Sequence, residues 1–143
     1  MFIGEYNHSI DAKGRVIVPS KFREQLDDIC FATKGLDGCL FVFPKTEWEA
    51  FEEKLKGLPV SNKEARKFAR FFLTGAAEIE IDKQGRALIP ANLREFAKLG
   101  KEVCLVGVSG RFEIWNKDAW EESNTFDNVD EIAEHMGEWG FEI

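Results

Sequence analysis

Two arginines occupy equivalent positions in two short segments of the chain. Arg15 ends the segment Asp11-Ala12-Lys13-Gly14-Arg15, and Arg86 ends the segment Asp82-Lys83-Gln84-Gly85-Arg86. A guanidinium group carries a planar fork of N–H donors that fits a phosphate or the O6/N7 edge of guanine. The residue types and their spacing therefore predict two tips that bind anionic groups, with Arg15 and Arg86 as the contacting residues.

A purely structural alternative stays open at this point. Asp11 lies four residues before Arg15, and Asp82 lies four residues before Arg86. Each carboxylate can pair with its arginine and lock the turn, and a duplicated fold would copy such a pair whatever the protein does. Repetition alone therefore does not separate an arginine that binds a ligand from one that only stabilises a turn.

Each turn also contains a lysine. Lys13 aligns with Gln84, and Lys83 aligns with Ala12, so the two lysines are not at matching positions. Lysines in turns are usually solvated. We interpret Lys13 and Lys83 as weaker candidates than the arginines for the same contacts.

The remaining residues of the two segments predict the shape of the turns. An Asp at the first corner of a type I turn caps backbone N–H groups two residues on, and a Gly at the fourth corner accepts a positive φ. Asp11 with Gly14, and Asp82 with Gly85, meet this pattern. We interpret these four residues as turn-shaping.

The duplication extends beyond the turns. Six residues recur at an offset of 71 positions, in the pairs Asp11/Asp82, Gly14/Gly85, Arg15/Arg86, Pro19/Pro90, Arg23/Arg94 and Glu24/Glu95. Arg23 and Arg94 fall on the short helix that follows each turn. We interpret them as partners of nearby carboxylates.

Each copy predicts a strand, a tight turn, a second strand that ends at a proline, and a short helix. A hairpin of this length cannot bury enough apolar surface to be stable alone. The sequence therefore predicts an α+β fold that is mainly β. In it, two tandem units interlock as a pseudo-twofold β-barrel with flanking helices, which would close the exposed strand edges.

The repeat divides the chain into four segments. They are a first repeat at residues 1–60, a connecting basic helix at 61–75, a second repeat at 76–120, and an acidic C-terminal tail with a helix at 121–143.

The connecting helix is predicted to begin with Ser61 as its cap. One of its faces carries a basic stripe, which consists of Lys63, Arg66, Lys67 and Arg70. A solvated surface is the simpler interpretation of this stripe. A face that contacts DNA or another subunit is the alternative.

The net charge of −7 opposes binding to a polyanion, but its distribution does not. Residues 118–143 contain nine acidic side chains and no Lys or Arg, so the other 117 residues carry 19 basic against 17 acidic groups. Residues 11–23 and 82–94 have local charges of +3 and +2. Positive charge is therefore concentrated at the two turns.

The same tail contains an apolar stripe at helical spacing, formed by Val129, Ile132, Ala133 and Met136. Asn128 is predicted to cap this helix together with Glu131. We expect a short acidic helix that docks by its apolar stripe.

No constellation of residues indicates catalysis. The chain has no nucleophile elbow and no Gly-rich loop with nucleotide-binding spacing, and its two histidines, His8 and His135, lie far apart. The three cysteines, Cys30, Cys39 and Cys104, include no Cys-x-x-Cys pair, so we expect buried reduced thiols. The sequence predicts neither enzyme activity, nor a metal, cofactor or small-molecule substrate.

Localisation is predicted from the absence of other signals. No apolar run approaches the length of about 18 residues that a membrane span requires. The N-terminus, Met1-Phe2-Ile3-Gly4-Glu5-Tyr6, has no basic region followed by an apolar stretch. We expect a cytoplasmic protein without a membrane partner.

Three segments resemble the MraZ family of bacterial transcriptional regulators, within the AbrB-like superfamily. They are MFIGEYNHSIDAKGRVIVPSKFRE, LTGAAEIEIDKQGRALIPANLRE and KEVCLVGVSGRFEIWNKDAW, and the resemblance covers residues 1–120. It implies two swapped-hairpin AbrB-like units and a ring-like homo-oligomer. It also implies that the arginine of each Asp-x-x-x-Arg motif binds double-stranded DNA, at repeated boxes upstream of a division and cell-wall gene cluster.

The leading interpretation is therefore a sequence-specific, nucleoid-associated transcriptional regulator. Two alternatives from other classes stay open, an antitoxin-like module whose tail binds a partner protein and a ring-forming structural protein. The sequence does not define the DNA target, the number of subunits or the direction of regulation.

Overall fold

The structure is a computed structural model that describes residues 1–143. Its strands are β1 (Phe2–Ser9), β2 (Arg15–Ile17), β3 (Ile29–Lys34), β4 (Leu40–Phe43), β5 (Ala77–Glu80), β6 (Arg86–Leu88), β7 (Glu102–Ser109) and β8 (Phe112–Asn116). Its α-helices are α1 (Ser20–Arg23), α2 (Lys45–Lys56), α3 (Lys63–Gly75), α4 (Ala91–Phe96), α5 (Lys117–Ser123) and α6 (Val129–His135). Short 3₁₀ turns occupy Leu36–Gly38 and Met136–Trp139.

Six strands form one antiparallel sheet in the order β1-β7-β8-β4-β3-β5. The first repeat supplies β3 and β4 in the sheet interior, and the second repeat supplies β7 and β8. The outer strands are exchanged, because β1 of the first repeat pairs with β7, and β5 of the second repeat pairs with β3. The predicted α+β class is confirmed, and the two repeats share one sheet.

A second, two-stranded ladder joins the repeats at their turns. β2 pairs with β6, and Val16 lies opposite Ala87. Two further backbone hydrogen bonds connect the repeats beside this ladder. Val18 N donates to Gly85 O, and Ile89 N donates to Gly14 O, both at 2.9 Å. Each turn is therefore held by the backbone of the other repeat.

The predicted closure into a barrel is wrong. β1 and β5 lie at opposite ends of the six-stranded sheet and are not hydrogen-bonded to each other. β2 and β6 have only three residues each, and the prolines that follow them, Pro19 and Pro90, lack the N–H that would extend the pairing. β2 and β6 meet the ends of the two edge strands only through single bridges, Ile10 with Val16 and Ile81 with Ala87, so no continuous ladder closes the sheet.

The buried side chains form two clusters. The first lies under the turns and contains Phe22 of α1 and Leu93 of α4, both nearly inaccessible to solvent. The second is aromatic and lies under α2 and α3. In it, Trp48 stacks on Phe31 with ring centroids 5.7 Å apart, and Phe72 is buried. Removal of these large rings from water is the main stabilising contribution available to such short elements.

Two predicted helix caps differ from the structure. Asn62, rather than Ser61, caps α3, because its side-chain oxygen accepts from Ala65 N at 2.9 Å. Asn128 makes no capping hydrogen bond at the start of α6. Asn and Ser are both favourable N-cap residues. The sequence therefore could not show which of the adjacent residues Ser61 and Asn62 caps α3.

None of the helices combines the length and the apolar character that crossing a membrane would require.

Candidate nucleic-acid interface

The first turn is held by one carboxylate. Asp11 Oδ1 accepts hydrogen bonds from Lys13 N and Arg15 N, both at 2.9 Å. Gly14 N donates to Asp11 O at 3.0 Å, and Gly14 adopts φ +88°, which a residue with a Cβ rarely does. The five-residue segment is therefore closed by its own hydrogen bonds.

The second turn repeats this geometry. Asp82 Oδ1 accepts from Gln84 N at 2.9 Å and from Arg86 N at 2.8 Å, and Gly85 adopts φ +80°. Gln84 replaces Lys13 without any change in bonding, since only the backbone N–H of that position is used. The positions of the two turn lysines are therefore free to differ.

The arginines pair with the same carboxylates through one nitrogen only. Arg15 Nε donates to Asp11 Oδ2 at 2.7 Å, and Arg86 Nε donates to Asp82 Oδ2 at 2.8 Å. The Nη1 and Nη2 groups have no hydrogen-bond acceptor within the chain, and the two side chains are 29% and 28% exposed. The structural pairing thus orients each guanidinium and leaves its terminal donors unused.

The same hydrogen bonds keep the aspartates ionised. The pKa of Asp11 is lowered to about 2, chiefly by the hydrogen bond from the Arg15 backbone N–H, and then by the Arg15 side chain and the Lys13 N–H. These effects outweigh an opposing effect of desolvation. The pKa of Asp82 is lowered for the corresponding reasons, with Arg86 as the main donor.

Both arginines lie on one face of the β2–β6 ladder. Val16 and Ala87 point into the first cluster, so their neighbours point outward. Arg15 lies opposite Leu88, and Arg86 lies opposite Ile17. The arginines are therefore diagonal neighbours, a relation for which Cα atoms are about 7–8 Å apart.

A surface concavity of about 530 Å³ borders this face and is lined by Arg15 and Arg86. Glu78 and Glu80 of β5 also line it. Carboxylates disfavour a phosphate at that position. The carboxylates of β5 therefore make the concavity itself a poor position for a polyanion.

Arg23 and Arg94 cross from one repeat to the other. A Cβ built on Gly14 would lie 2.7 Å from Arg94 Cζ, and a Cβ built on Gly85 would meet Arg23 Nη1. Each guanidinium therefore lies directly over the turn glycine of the opposite repeat. The interpretation that these arginines pair with carboxylates is wrong, because neither forms an ion pair.

The two crossing arginines differ in their bonding. Arg94 Nε donates to Ile89 O at 2.9 Å, whereas Arg23 Nε is buried without an acceptor. The 71-residue offset showed that Arg23 and Arg94 occupy equivalent positions in the two repeats. It did not indicate that each of them contacts the turn of the other repeat.

The other basic candidates lie elsewhere or are unconstrained. Lys13 and Lys83 are exposed and their side chains make no hydrogen bond. The basic stripe is on α3, which packs on α2 and β3 rather than on the ladder. The structure therefore does not join the stripe to the face that carries Arg15 and Arg86.

The three cysteines are buried free thiols. Burial raises the pKa of Cys30 to about 12 and that of Cys104 to about 11, and it raises the pKa of Cys39 still further. A thiol with a raised pKa is a poor nucleophile and a poor metal ligand at neutral pH. No group of three or more His, Cys, Asp or Glu side chains is arranged to hold a metal ion.

Fold and site together define a protein of two interlocked strand–turn–strand–helix repeats that present paired arginines on one face. A family model described as "MraZ protein, putative antitoxin-like" matches the chain twice, at residues 1–71 and 72–134. The two matches begin 71 residues apart, which is the offset of the internal repeat. The chain belongs to the MraZ family.

Several relatives match almost the whole chain, and each is named Transcriptional regulator MraZ. One from Lachnoclostridium phytofermentans is 61% identical over 140 residues, which make up 98% of this chain and 98% of the relative. One from Clostridium tetani is 56% identical over 142 residues, or 98% and 99% of the two chains. One from Thermoanaerobacter sp. strain X514 is 60% identical over 138 residues, or 95% and 96%.

Proposed function

We propose that this protein is a transcriptional regulator that binds double-stranded DNA through Arg15 and Arg86. The observation that carries the proposal is the presence of two guanidinium groups on one outward face, each fixed at Nε by an aspartate and each with unused terminal donors. The relatives' shared name, Transcriptional regulator MraZ, supports the same function.

The aspartates contribute by fixing the arginines before DNA arrives. An unrestrained arginine loses side-chain entropy when it is immobilised, which costs about 0.5–1.5 kcal/mol per side chain. In this chain Asp11 and Asp82 already hold the guanidinium planes through Nε. The remaining Nη donors form the fork that a phosphate oxygen or a guanine edge accepts.

The lysines of the turns have a less specific role in this proposal. Lys13 and Lys83 are exposed beside the arginines and can approach phosphates as mobile point charges. They add to affinity and to its dependence on salt, but not to the choice of bases. Asp11, Gly14, Asp82 and Gly85 shape the turns.

One chain presents only one such face and would bind a single box weakly. We propose a ring-like homo-oligomer that engages tandem boxes upstream of a division and cell-wall gene cluster, as the family resemblance implies. Linked faces raise the effective concentration of each for its box. We also propose a cytoplasmic, nucleoid-associated location and no catalytic activity.

We further propose that residues 1–60 and 76–120 act as the two AbrB-like units. The segment 61–75 connects them, and residues 121–143 form an acidic appendage. The exchanged strands β1 and β5 support treating the two units as one folded body.

Binding isotherms at several salt concentrations test the proposal, with a duplex that carries the tandem boxes and a scrambled duplex of the same composition. The wild type is compared with Arg15→Ala, Arg86→Ala and the control Lys54→Ala, which removes one exposed charge from α2. We expect a steep loss of affinity with salt, a clear preference for the boxes, and weakening only by the two arginine variants.

The rival functions give a different result. An antitoxin-like module or a structural ring predicts weak binding that ignores sequence and is equally affected by Lys54→Ala and Arg15→Ala. Circular dichroism of each variant shows whether the fold is retained, so that lost binding is not confused with unfolding.

A further inference from the structure

A groove lies between α2 and α3. It has a volume of about 430 Å³, and its lining comes entirely from residues 55–73. Leu55, Leu58 and Leu73 contribute to its apolar part, together with the exposed Val60. Apolar surface with a polar rim is a feature of protein interaction sites.

The rim of this groove is basic. Lys56, Arg66 and Arg70 line it, and no acidic residue does. Arg66 Nη1 donates to Val60 O at 2.9 Å, which holds the connecting loop against α3. Arg66 and Arg70 belong to the basic stripe, which is not part of the face that carries Arg15 and Arg86.

The last part of the C-terminal tail, residues 124–143, has the complementary character. It contains six acidic side chains and no Lys or Arg. Its helix α6 exposes Val129 and Ile132, and Trp139 beyond it is 81% exposed. Between residues 125 and 143 every residue except Met136 is exposed, so its own chain leaves much of the apolar stripe of α6 uncovered.

We propose that the C-terminal tail of one copy docks into the α2–α3 groove of a second copy. The apolar stripe of α6 covers the leucines of the groove, and the acidic flanks face Lys56, Arg66 and Arg70. A short amphipathic helix in an apolar groove is a common recognition mode. The inference deepens the self-association in the proposed function and rests on that part of it.

The second copy is the favoured occupant for two reasons. Every copy carries both the groove and a tail of opposite charge, so no further molecule is needed. In addition, the tail and the groove do not touch within one chain, since the groove is lined by residues 55–73 alone. A contact between two different surfaces is heterologous, and repeated contacts of this type build closed rings or open chains.

Charge exchange between full-length variants tests the docking. The groove variant combines Lys56→Glu with Arg70→Glu, and the tail variant combines Glu134→Lys with Glu138→Lys. All four residues are exposed, and Lys56 has only a surface ion pair with Glu53 at 3.2 Å. The control combines Lys45→Glu with Lys54→Glu and thus reverses two charges of α2 outside the groove.

Molecular mass is measured by light scattering over a range of concentrations. We expect each exchange variant alone to assemble at concentrations about 10- to 100-fold higher than the wild type, because like charges then face each other. An equimolar mixture of the two should assemble like the wild type, since every groove again meets a tail of opposite charge. This recovery also shows that both variants are folded.

Other outcomes overturn the docking. If both variants assemble like the wild type, or if mixing restores nothing, the subunits associate through another surface or the groove binds another molecule. Docking of the tail into its own groove would leave the mass independent of concentration. If the wild type stays monomeric at all concentrations, both the docking and the ring fail.

Binding of each variant to a duplex with one box separates this inference from DNA recognition. We expect the groove and tail variants to bind a single box as the wild type does. Loss of assembly with retained single-box binding supports the docking, whereas loss of single-box binding by the tail variant would place the tail at the DNA and contradict it.

Discussion

The two turns of the molecule are nearly identical, whereas the residues that cover them are not. Asp11 and Asp82 make the same three side-chain hydrogen bonds, with lengths that agree within 0.1 Å. The covering arginines differ, because Arg94 Nε has an acceptor and Arg23 Nε has none. A turn closed by its own residues is copied faithfully, while a contact between repeats diverges with its surroundings.

The crossing arginines also link the two turns mechanically. Each lies over the glycine of the opposite turn, so that neither turn can shift without moving a helix of the other repeat. Interlocked strands and crossed arginines thus hold Arg15 and Arg86 in a fixed relation. Four experiments ask how far the two turns are equivalent.

The largest expected difference is in DNA affinity. Arg15→Ala and Arg86→Ala should each weaken binding to a one-box duplex about 5- to 150-fold, since a bidentate contact contributes about 1–3 kcal/mol. If the turns are equivalent, the two losses are equal and the double variant loses roughly their product. Fluorescence anisotropy measures the dissociation constants. Unequal single losses would show that one turn dominates recognition.

The next largest difference concerns the turn glycines. Gly14→Ala and Gly85→Ala should each reduce the free energy of unfolding by about 1–3 kcal/mol, because Ala disfavours positive φ and its Cβ meets a guanidinium. We expect the larger loss at Gly85, where Arg23 approaches more closely. Urea denaturation measures both.

Gly57→Ala is the matched control for the glycine variants. Gly57 has an ordinary helical φ of −76°, and no atom lies closer than 3.4 Å to the position of an added Cβ. Its free energy of unfolding should be unchanged or slightly raised. Equal stability in all three variants would contradict the close approach of the crossing arginines.

A smaller difference is expected between the crossing arginines. Arg94→Met removes the hydrogen bond to Ile89 O and should reduce the free energy of unfolding by about 1–2 kcal/mol. Arg23→Met keeps an apolar stem and removes a buried donor that has no acceptor, so its change should stay within about 0.5 kcal/mol. Thermal or urea unfolding measures both, and equal losses would mean that Arg23 is bonded in solution.

The smallest effect is on the pH dependence of stability. A pKa lowered in the folded state gives a stabilisation that is present above the unfolded value of 3.8 and is lost as pH falls through the folded value, about 2 for Asp11. Asp11→Asn combined with Asp82→Asn should therefore be less stable than the wild type at pH 7. The difference should narrow between about pH 4 and pH 2.

Asp130→Asn is the control for this pH dependence. Its carboxylate lies in the exposed tail and makes no hydrogen bond, so this variant removes a negative charge without removing a turn contact. Urea unfolding in a series of buffers gives the comparison. A constant difference for the double turn variant would contradict the lowered pKa values.

Much of the site could be predicted from spacing. An aspartate, a glycine three residues later and an arginine four residues later are close in space whatever the rest of the chain does, so the turn geometry and the pairing with Asp11 and Asp82 follow from short segments. The α+β class followed in the same way from local patterns. Arg23 and Arg94 were recognised as recurrent, but their partners were not, because those lie in the other repeat.

The sequence by itself determined the turns, the duplication and the amphipathic tail, since each rests on residues fewer than ten positions apart or on direct repetition. Only the tertiary structure decided that β2 pairs with β6, that β1 and β5 exchange sides, and that the sheet stays open. Strands of similar length and composition offer many nearly equivalent pairings. The choice among them depends on how the whole apolar core packs, which no local spacing encodes.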